Sequence, residues 1–136
     1  MNRYLLDTNV ISELRKKRPH GAVIAWFNTT EEARLFVSAV TLGELQTGVE
    51  RTRRHNPAKA TELEQWIDGL PASDQILPMD TACFREWVRI MDGMPPELLE
   101  DGMIAATARV HGLVVATRNV RDFAQLDVRI VNPFKS

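Results

Sequence analysis

The run Leu113-Val114-Val115-Ala116 constrains the fold more than any other stretch of this chain. Every position in it is apolar, so a strand formed there must be covered on both faces, as in the interior of a parallel sheet. It is too short to be read as a helix. Ahead of it lies Asp101 to His111, a small-residue helix with Ile104-Ala105-Ala106-Thr107-Ala108 at its centre, closed by Gly112 in a C-terminal position. Alanines at that density let a helix lie close against a sheet. The pair predicts one helix-to-strand unit of an α/β fold.

The same alternation runs through the rest of the chain. Tyr4-Leu5-Leu6 is a short apolar run that reads as a strand, and Asp7, Thr8 and Asn9 after it are residue types that accept bonds from the first turn of a helix. Asp7 is therefore expected at the carboxyl end of a strand, where open parallel sheets gather ligands. Pro19-His20-Gly21 breaks the chain, and Ala22 to Asn28 forms a short apolar helix with Trp26 and Phe27. Leu35-Phe36-Val37 is a second strand. Thr41 then opens a helix with Glu44 three residues on, matching a capping box, which runs to about Glu50. Asn56 caps the next helix with Pro57 at its first position, and Leu63, Trp66, Ile67 and Leu70 mark its face up to a Gly69-Leu70-Pro71 stop. Ile76-Leu77 is a short strand. Asp80 caps a helix whose stripe is Phe84, Trp87, Val88 and Met91, expected in the core or an interface rather than stacked on bases. Beyond Ala116, Val120 to Phe123 makes a turn and Val128 to Val131 a last strand. The expected architecture is a single three-layer α/β/α domain over residues 1–136 with a mostly parallel central sheet.

Composition narrows the setting. The chain has 136 residues, 44% hydrophobic and 26% charged, ordinary values for a soluble globular domain. Cys83 is the single cysteine, which excludes an intramolecular disulfide, and no apolar run approaches the roughly 20 residues of a membrane helix. A cytoplasmic protein without membrane contact is the expectation. A net charge of −1 neither favours nor excludes nucleic acid. Basic residues do cluster, at Arg15-Lys16-Lys17-Arg18, at Arg51, Arg53, Arg54 and His55, and at Arg118 and Arg121, positions that suit a phosphate path or plain solvated helix ends.

Four acids occupy comparable places in the alternation. Asp7 follows the first strand, Glu44 lies on the first turn after the second, Asp101 begins the small-residue helix, and Asp122 lies just past the apolar strand. Two carboxylates about 4 Å apart repel by roughly 4 kcal/mol at an effective dielectric of 20. A divalent cation removes that cost, and an oxygen-only set favours Mg²⁺ or Mn²⁺ over zinc. His20, His55 and His111 are scattered and Cys83 is mid-helix, so no zinc set is expected. Each acid also has a plainer reading. Asp7 is a helix cap, Glu44 a capping-box partner, Asp101 an N-terminal acid favoured by the helix dipole, and Asp122 a loop acid paired with Arg118 or Arg121.

Taken together, Leu5–Glu13, Val40–Val49, Asp101–Ala108 and Ala116–Phe123 resemble the PIN-domain family, most nearly its VapC-type, FitB-like toxins. The match runs in order over nearly the whole chain. The resemblance implies a Mg²⁺- or Mn²⁺-dependent endoribonuclease toxin acting on RNA, a homodimer, and a VapB-type antitoxin that blocks the site and alone contacts operator DNA. It implies Asp7 and Asp101 as principal metal ligands, with Glu44 and Asp122 holding metal waters or a second ion. Thr8 and Asn9 would orient the first acid, and Thr117 and Asn119 would add polar groups at the rim. The run Glu97-Leu98-Leu99-Glu100-Asp101-Gly102 departs from the pattern, with extra acids before the motif and Gly where a larger residue is usual. Asp101 holds the register, with Glu100 as the alternative.

Two other readings remain open from residues alone. A haloacid-dehalogenase-type phosphotransfer or phosphatase domain also starts strand-Asp, but wants a second Asp where this chain has Asn9. A toxin–antitoxin component acting mainly as a DNA-binding autorepressor would not need the acids.

Overall fold

The computed structural model describes residues 1–70 and 75–135. Five strands, β1 (Tyr4–Leu6), β2 (Leu35–Ser38), β3 (Ile76–Leu77), β4 (Val114–Ala116) and β5 (Ile130–Val131), form one sheet in the order β3-β2-β1-β4-β5. Every pairing is parallel, with Leu6 opposite Val37 on one side and Ala116 on the other. The chain leaves β1 for β2 and crosses back to β4. The carboxyl ends of β1 and β4 therefore flank the point where strand order reverses, the crevice where such sheets bind ligands.

Alternation of side chains divides the core. Leu5 and Val115 point to one face and join Ile90, Ile104, Ala105, Ala108 and Phe123 from α5 (Thr81–Met91), α6 (Leu99–His111) and α7 (Val120–Ala124). Leu6, Val37 and Ala116 point to the other and join Val10, Ile11 and Val23 from α1 (Thr8–Leu14) and α2 (Gly21–Asn28). Leu42 and Leu45 of α3 (Ala39–Arg53) and Trp66 of α4 (Pro57–Asp68) extend this second layer. Burying each leucine or isoleucine contributes roughly 2 kcal/mol. In α6, Ala105, Ala106 and Ala108 are fully buried, which brings its backbone close against the sheet. Gly112 ends that helix at φ +67°, and Leu113 N–H donates back to the Ala108 carbonyl at 2.8 Å, the left-handed termination that favours glycine.

Several local expectations shift. Helix α3 starts at Ala39, not Thr41, because Ser38, the last residue of β2, is the cap and its Oγ accepts from Val40 N–H at 3.1 Å. Thr41 is therefore inside the helix and fully buried, the capping box with Glu44 does not form, and Glu44 sits in the second turn. Helix α3 also runs past Glu50 to Arg53. Asn56 does cap α4, accepting from Lys59 N–H at 3.2 Å; of its Gly69-Leu70-Pro71 stop, Pro71 lies outside the described residues. Val120–Ala124 is a short helix rather than a turn. Helix α6 begins two residues earlier than expected, and β5 is only Ile130–Val131. The apolar stripe of α5 divides: Trp87 and Met91 pack against the core, while Phe84 is 45% and Val88 64% exposed.

Candidate active site

Asp7 closes β1 and caps α1, and its backbone N–H donates to the Ala116 carbonyl at 2.9 Å, fixing it beside the end of β4. The side chain is 5% exposed and fully engaged. Thr8 N–H donates to Oδ1 at 2.8 Å, while Asn9 Nδ2 and Thr117 Oγ1 donate to Oδ2 at 3.1 and 2.8 Å. Thr117, with no solvent exposure, also accepts from Asn119 N–H at 2.9 Å. From Thr8 the network continues to Glu44, whose Oε1 accepts from Thr8 Oγ1 at 3.2 Å. From Asn119 it continues to two more acids, its Nδ2 donating to Asp122 Oδ2 at 2.9 Å and to Asp101 Oδ2 at 3.3 Å. Neutral hydroxyls and amides thus hold the acids near one another. Among the described residues no lysine or arginine forms an ion pair with Asp7, Glu44, Glu100, Asp101 or Asp122.

The electrostatics follow from that imbalance. Burial pushes the Asp7 carboxyl above its ordinary value, against the bonds from Thr117, Thr8 and Asn9 that favour its charge. Glu44 rises from 4.5 to about 7, through burial first, then the charges of Glu100 and Asp7, with the protonated Glu44 carboxyl donating to the Glu100 carboxylate adding to the rise. Asp101 rises from 3.8 to about 6, through burial and then the charges of Asp7, Asp122 and Glu100. Anionic oxygens this crowded are a site for a cation, and carboxylate, hydroxyl and amide oxygens suit a hard one. The residues present therefore fit a Mg²⁺ or Mn²⁺ ion. They are held looser than a closed ligand shell: among the described residues no trio of these acids brings one oxygen each within 4.8 Å of the others.

Residues 4–129 match the sequence model of the PIN domain. The chain belongs to the PIN-domain family. The VapC ribonuclease Y4jK of Sinorhizobium fredii is 36% identical over 140 residues, covering 96% of this chain and 97% of that protein. Toxin FitB of Neisseria gonorrhoeae is 37% identical over 136 residues, with 96% and 97% covered. A solved structure of FitAB bound to an IR36 DNA fragment superposes with a TM-score of 0.85 at 31% identity, covering 98% of this chain and 96% of that one. Within the family, the chain falls in the VapC-type branch.

In this PIN domain the eight residues singled out from sequence, Asp7, Thr8, Asn9, Glu44, Asp101, Thr117, Asn119 and Asp122, all enter the one network. Glu100 is close enough to both Glu44 and Asp101 for its charge to act on each. The glycine after Asp101 has a packing reason. A Cβ on Gly102 would lie 2.5 Å from Met91 Sδ and 3.2 Å from Trp87 Cδ1, so α5 packs directly on the first turn of α6. Of the basic clusters, Arg15 lines a groove of about 300 Å³ that opens beside Thr8 and Glu44. Arg53 is engaged by Glu50 and Glu64, and Arg118 lies over the Phe134 ring at 4.6 Å.

One expectation fails. Cysteine and histidine do assemble: Asp80, Cys83 and His111 bring one ligand atom each within 4.8 Å of one another, on the far end of α6 from Asp101. Cys83 is in the first turn of α5 rather than mid-helix, and the antiparallel α5–α6 hairpin joins positions 28 residues apart, a pairing no local pattern reveals.

Proposed function

We propose that this PIN-domain chain is the ribonuclease toxin of a toxin–antitoxin pair, a divalent-metal-dependent endoribonuclease of the Mg²⁺ or Mn²⁺ kind. The observation that carries the reading is the uncompensated acid network at the sheet's switch point, in a chain whose relatives include a VapC ribonuclease and Toxin FitB. Asp7 and Asp101 are assigned to the ion, with Glu44 and Asp122 at its periphery. When bound, such an ion offsets charge on the phosphate oxygens and makes water a stronger nucleophile.

The chain's own residues do the rest. Thr8, Asn9 and Thr117 hold both Asp7 oxygens in place, so its carboxylate presents a fixed face rather than a rotating one. Asn119 ties Asp101 to Asp122 across two elements. The groove beside Glu44, with Arg15 on its wall, gives an RNA strand a basic contact next to the acids. Water adds in line to phosphorus as the bond to the 3′ oxygen breaks, leaving a 3′-hydroxyl and a 5′-phosphate. This donor set holds no second carboxylate where Asn9 stands, which disfavours phosphotransfer through an aspartyl phosphate.

The FitAB structure on DNA supports a VapB-type antitoxin as partner, with operator DNA reached through that partner. A second copy of the chain would cover exposed Phe84, Val88 and Leu99 and make a homodimer. No described helix is long and apolar enough to cross a membrane, and a cytoplasmic site of action fits this reading. A repressor acting without cleavage is the second reading, favoured by the same DNA complex. The test is cleavage of a mixed RNA pool by the purified chain with Mn²⁺, with EDTA, and as Asp7→Asn. Loss of cleavage in the last two supports the proposal; undiminished cleavage in either refutes it, and operator binding with no cleavage under any metal favours the repressor.

A further inference from the structure

The cluster at the opposite end of α6 belongs to no part of the acid network. From Asp101 to His111 the helix advances ten residues, about 15 Å, so the two regions are separate. Asp80 caps α5 through Oδ1, which accepts from Cys83 N–H at 3.0 Å, and its carboxylate also takes a hydrogen bond from the Cys83 thiol. Cys83 is fully buried two residues into the first turn, with its thiol against Asp80 and Thr107. His111, in the last turn of α6, contributes a ring nitrogen within the same 4.8 Å radius. Its Nε2 is shielded from solvent and has no hydrogen-bond partner.

Each residue has an ordinary role: a cap, a small apolar filler, a basic side chain at a helix C-terminus. Those roles leave the shielded His111 nitrogen unexplained, since burying a ring nitrogen without a hydrogen-bond partner is unfavourable. They also do not require three different donor types to converge. We propose that Asp80, Cys83 and His111 form a second metal site, for a borderline-soft divalent ion of the zinc type, which clamps the start of α5 to the end of α6. Sulfur, nitrogen and oxygen donors together are the set zinc takes and Mg²⁺ does not. Bonds of about 2.3 Å to sulfur and 2.0 Å to nitrogen put tetrahedral donors roughly 3.5 Å apart, so the observed spread closes with side-chain movement of about an ångström. On binding, the Cys83 S–H bond breaks, the thiolate sulfur bonds the ion, and the proton passes to solvent. With three protein donors and Asp80 exposed, the fourth position falls to water. The clamp stabilises the hairpin and is independent of whether the chain cleaves RNA.

Cobalt(II) serves as the probe, because a cobalt–thiolate bond gives a charge-transfer absorbance that carboxylates do not. The full chain, stripped with chelator and then freed of it, is titrated with cobalt(II) chloride. The expected result is a thiolate band saturating at one equivalent, displaced by zinc, unchanged in Asp7→Asn, and absent in Cys83→Ser. His111→Gln, at a partly exposed position that leaves the core intact, should weaken cobalt binding at this band about 100-fold. No band in the folded wild-type chain overturns the proposal. So does a band that His111→Gln leaves unchanged, since that would be binding by an isolated thiol.

Discussion

Glu44→Gln in the ion-free chain gives a direct measure of the acid network's cost. The wild-type carboxyl titrates at about 7 when folded against 4.5 when unfolded, so between those values the folded chain keeps a proton that the unfolded chain has lost. Unfolded chains then bind fewer protons, and stability falls as pH rises through the window. An interval of about 2.5 pH units at roughly 1.4 kcal/mol each gives about 3 kcal/mol, or about 2 kcal/mol once solvent screening of a half-buried group is allowed for. Glutamine keeps the acceptor for Thr8 Oγ1 and removes the charge that Asp7 and Glu100 oppose. In EDTA, wild type and variant should melt alike near pH 5, and the variant should melt about 6–8 °C higher at pH 8. Differential scanning calorimetry at both pH values reads the difference. A gap that is the same at pH 5 and pH 8, or a wild-type chain that gains stability with rising pH, would refute the reasoning.

Other perturbations separate the parts of the site. Thr117→Val removes the buried donor to Asp7 and leaves Asn119 N–H without its acceptor, so denaturant midpoints should show a loss of about 2–3 kcal/mol, while Thr117→Ser restores most of it. Asp101→Asn should abolish Mn²⁺-dependent RNA cleavage, whereas Glu100→Gln should retain it; the opposite outcome in the same assay moves the ligand to Glu100. Gly102→Ala forces Met91 and Trp87 aside and should cost about 1–3 kcal/mol in urea melts, with no cost if α5 tilts away freely.

What was legible in the sequence was whatever short-range pattern determines. The four-residue apolar run and the alanine-dense helix before it fixed a parallel α/β sheet, because only full burial on both faces accommodates them. Asp7, Thr8 and Asn9 announced a strand-to-helix turn, and all three turn their side chains into the network. Thr41 misled because Ser38, also a good cap, lies nearer the strand end and wins the first turn. Glu100's part beside Glu44 depends on how α3 and α6 face each other, a tertiary distance without periodic trace. The Asp80, Cys83 and His111 grouping failed to show for the same reason. It needs the hairpin closed before its members are neighbours.

Asp101 shows why position on a helix does not decide a carboxylate's role. It lies in the first turn of α6, where the helix dipole favours negative charge by about 0.3–1 kcal/mol. An acid there for capping alone would titrate below its ordinary value. Asp101 instead rises from 3.8 to about 6, so burial together with the charges of Asp7, Asp122 and Glu100 outweighs the dipole and reverses its sign. A fold gains no stability from four neighbouring acids arranged that way, and neutralising any one of them would relieve the others. Asn119, tied to two of them, can share a proton's worth of hydrogen bonding but supplies no charge. The arrangement makes physical sense only with a cation arriving from outside the chain. Direct binding of Mn²⁺, followed by calorimetry, should therefore tighten from pH 6 to pH 8 as Glu44 and Asp101 lose their protons, and affinity that is flat over that range would remove the argument for the acids as its ligands.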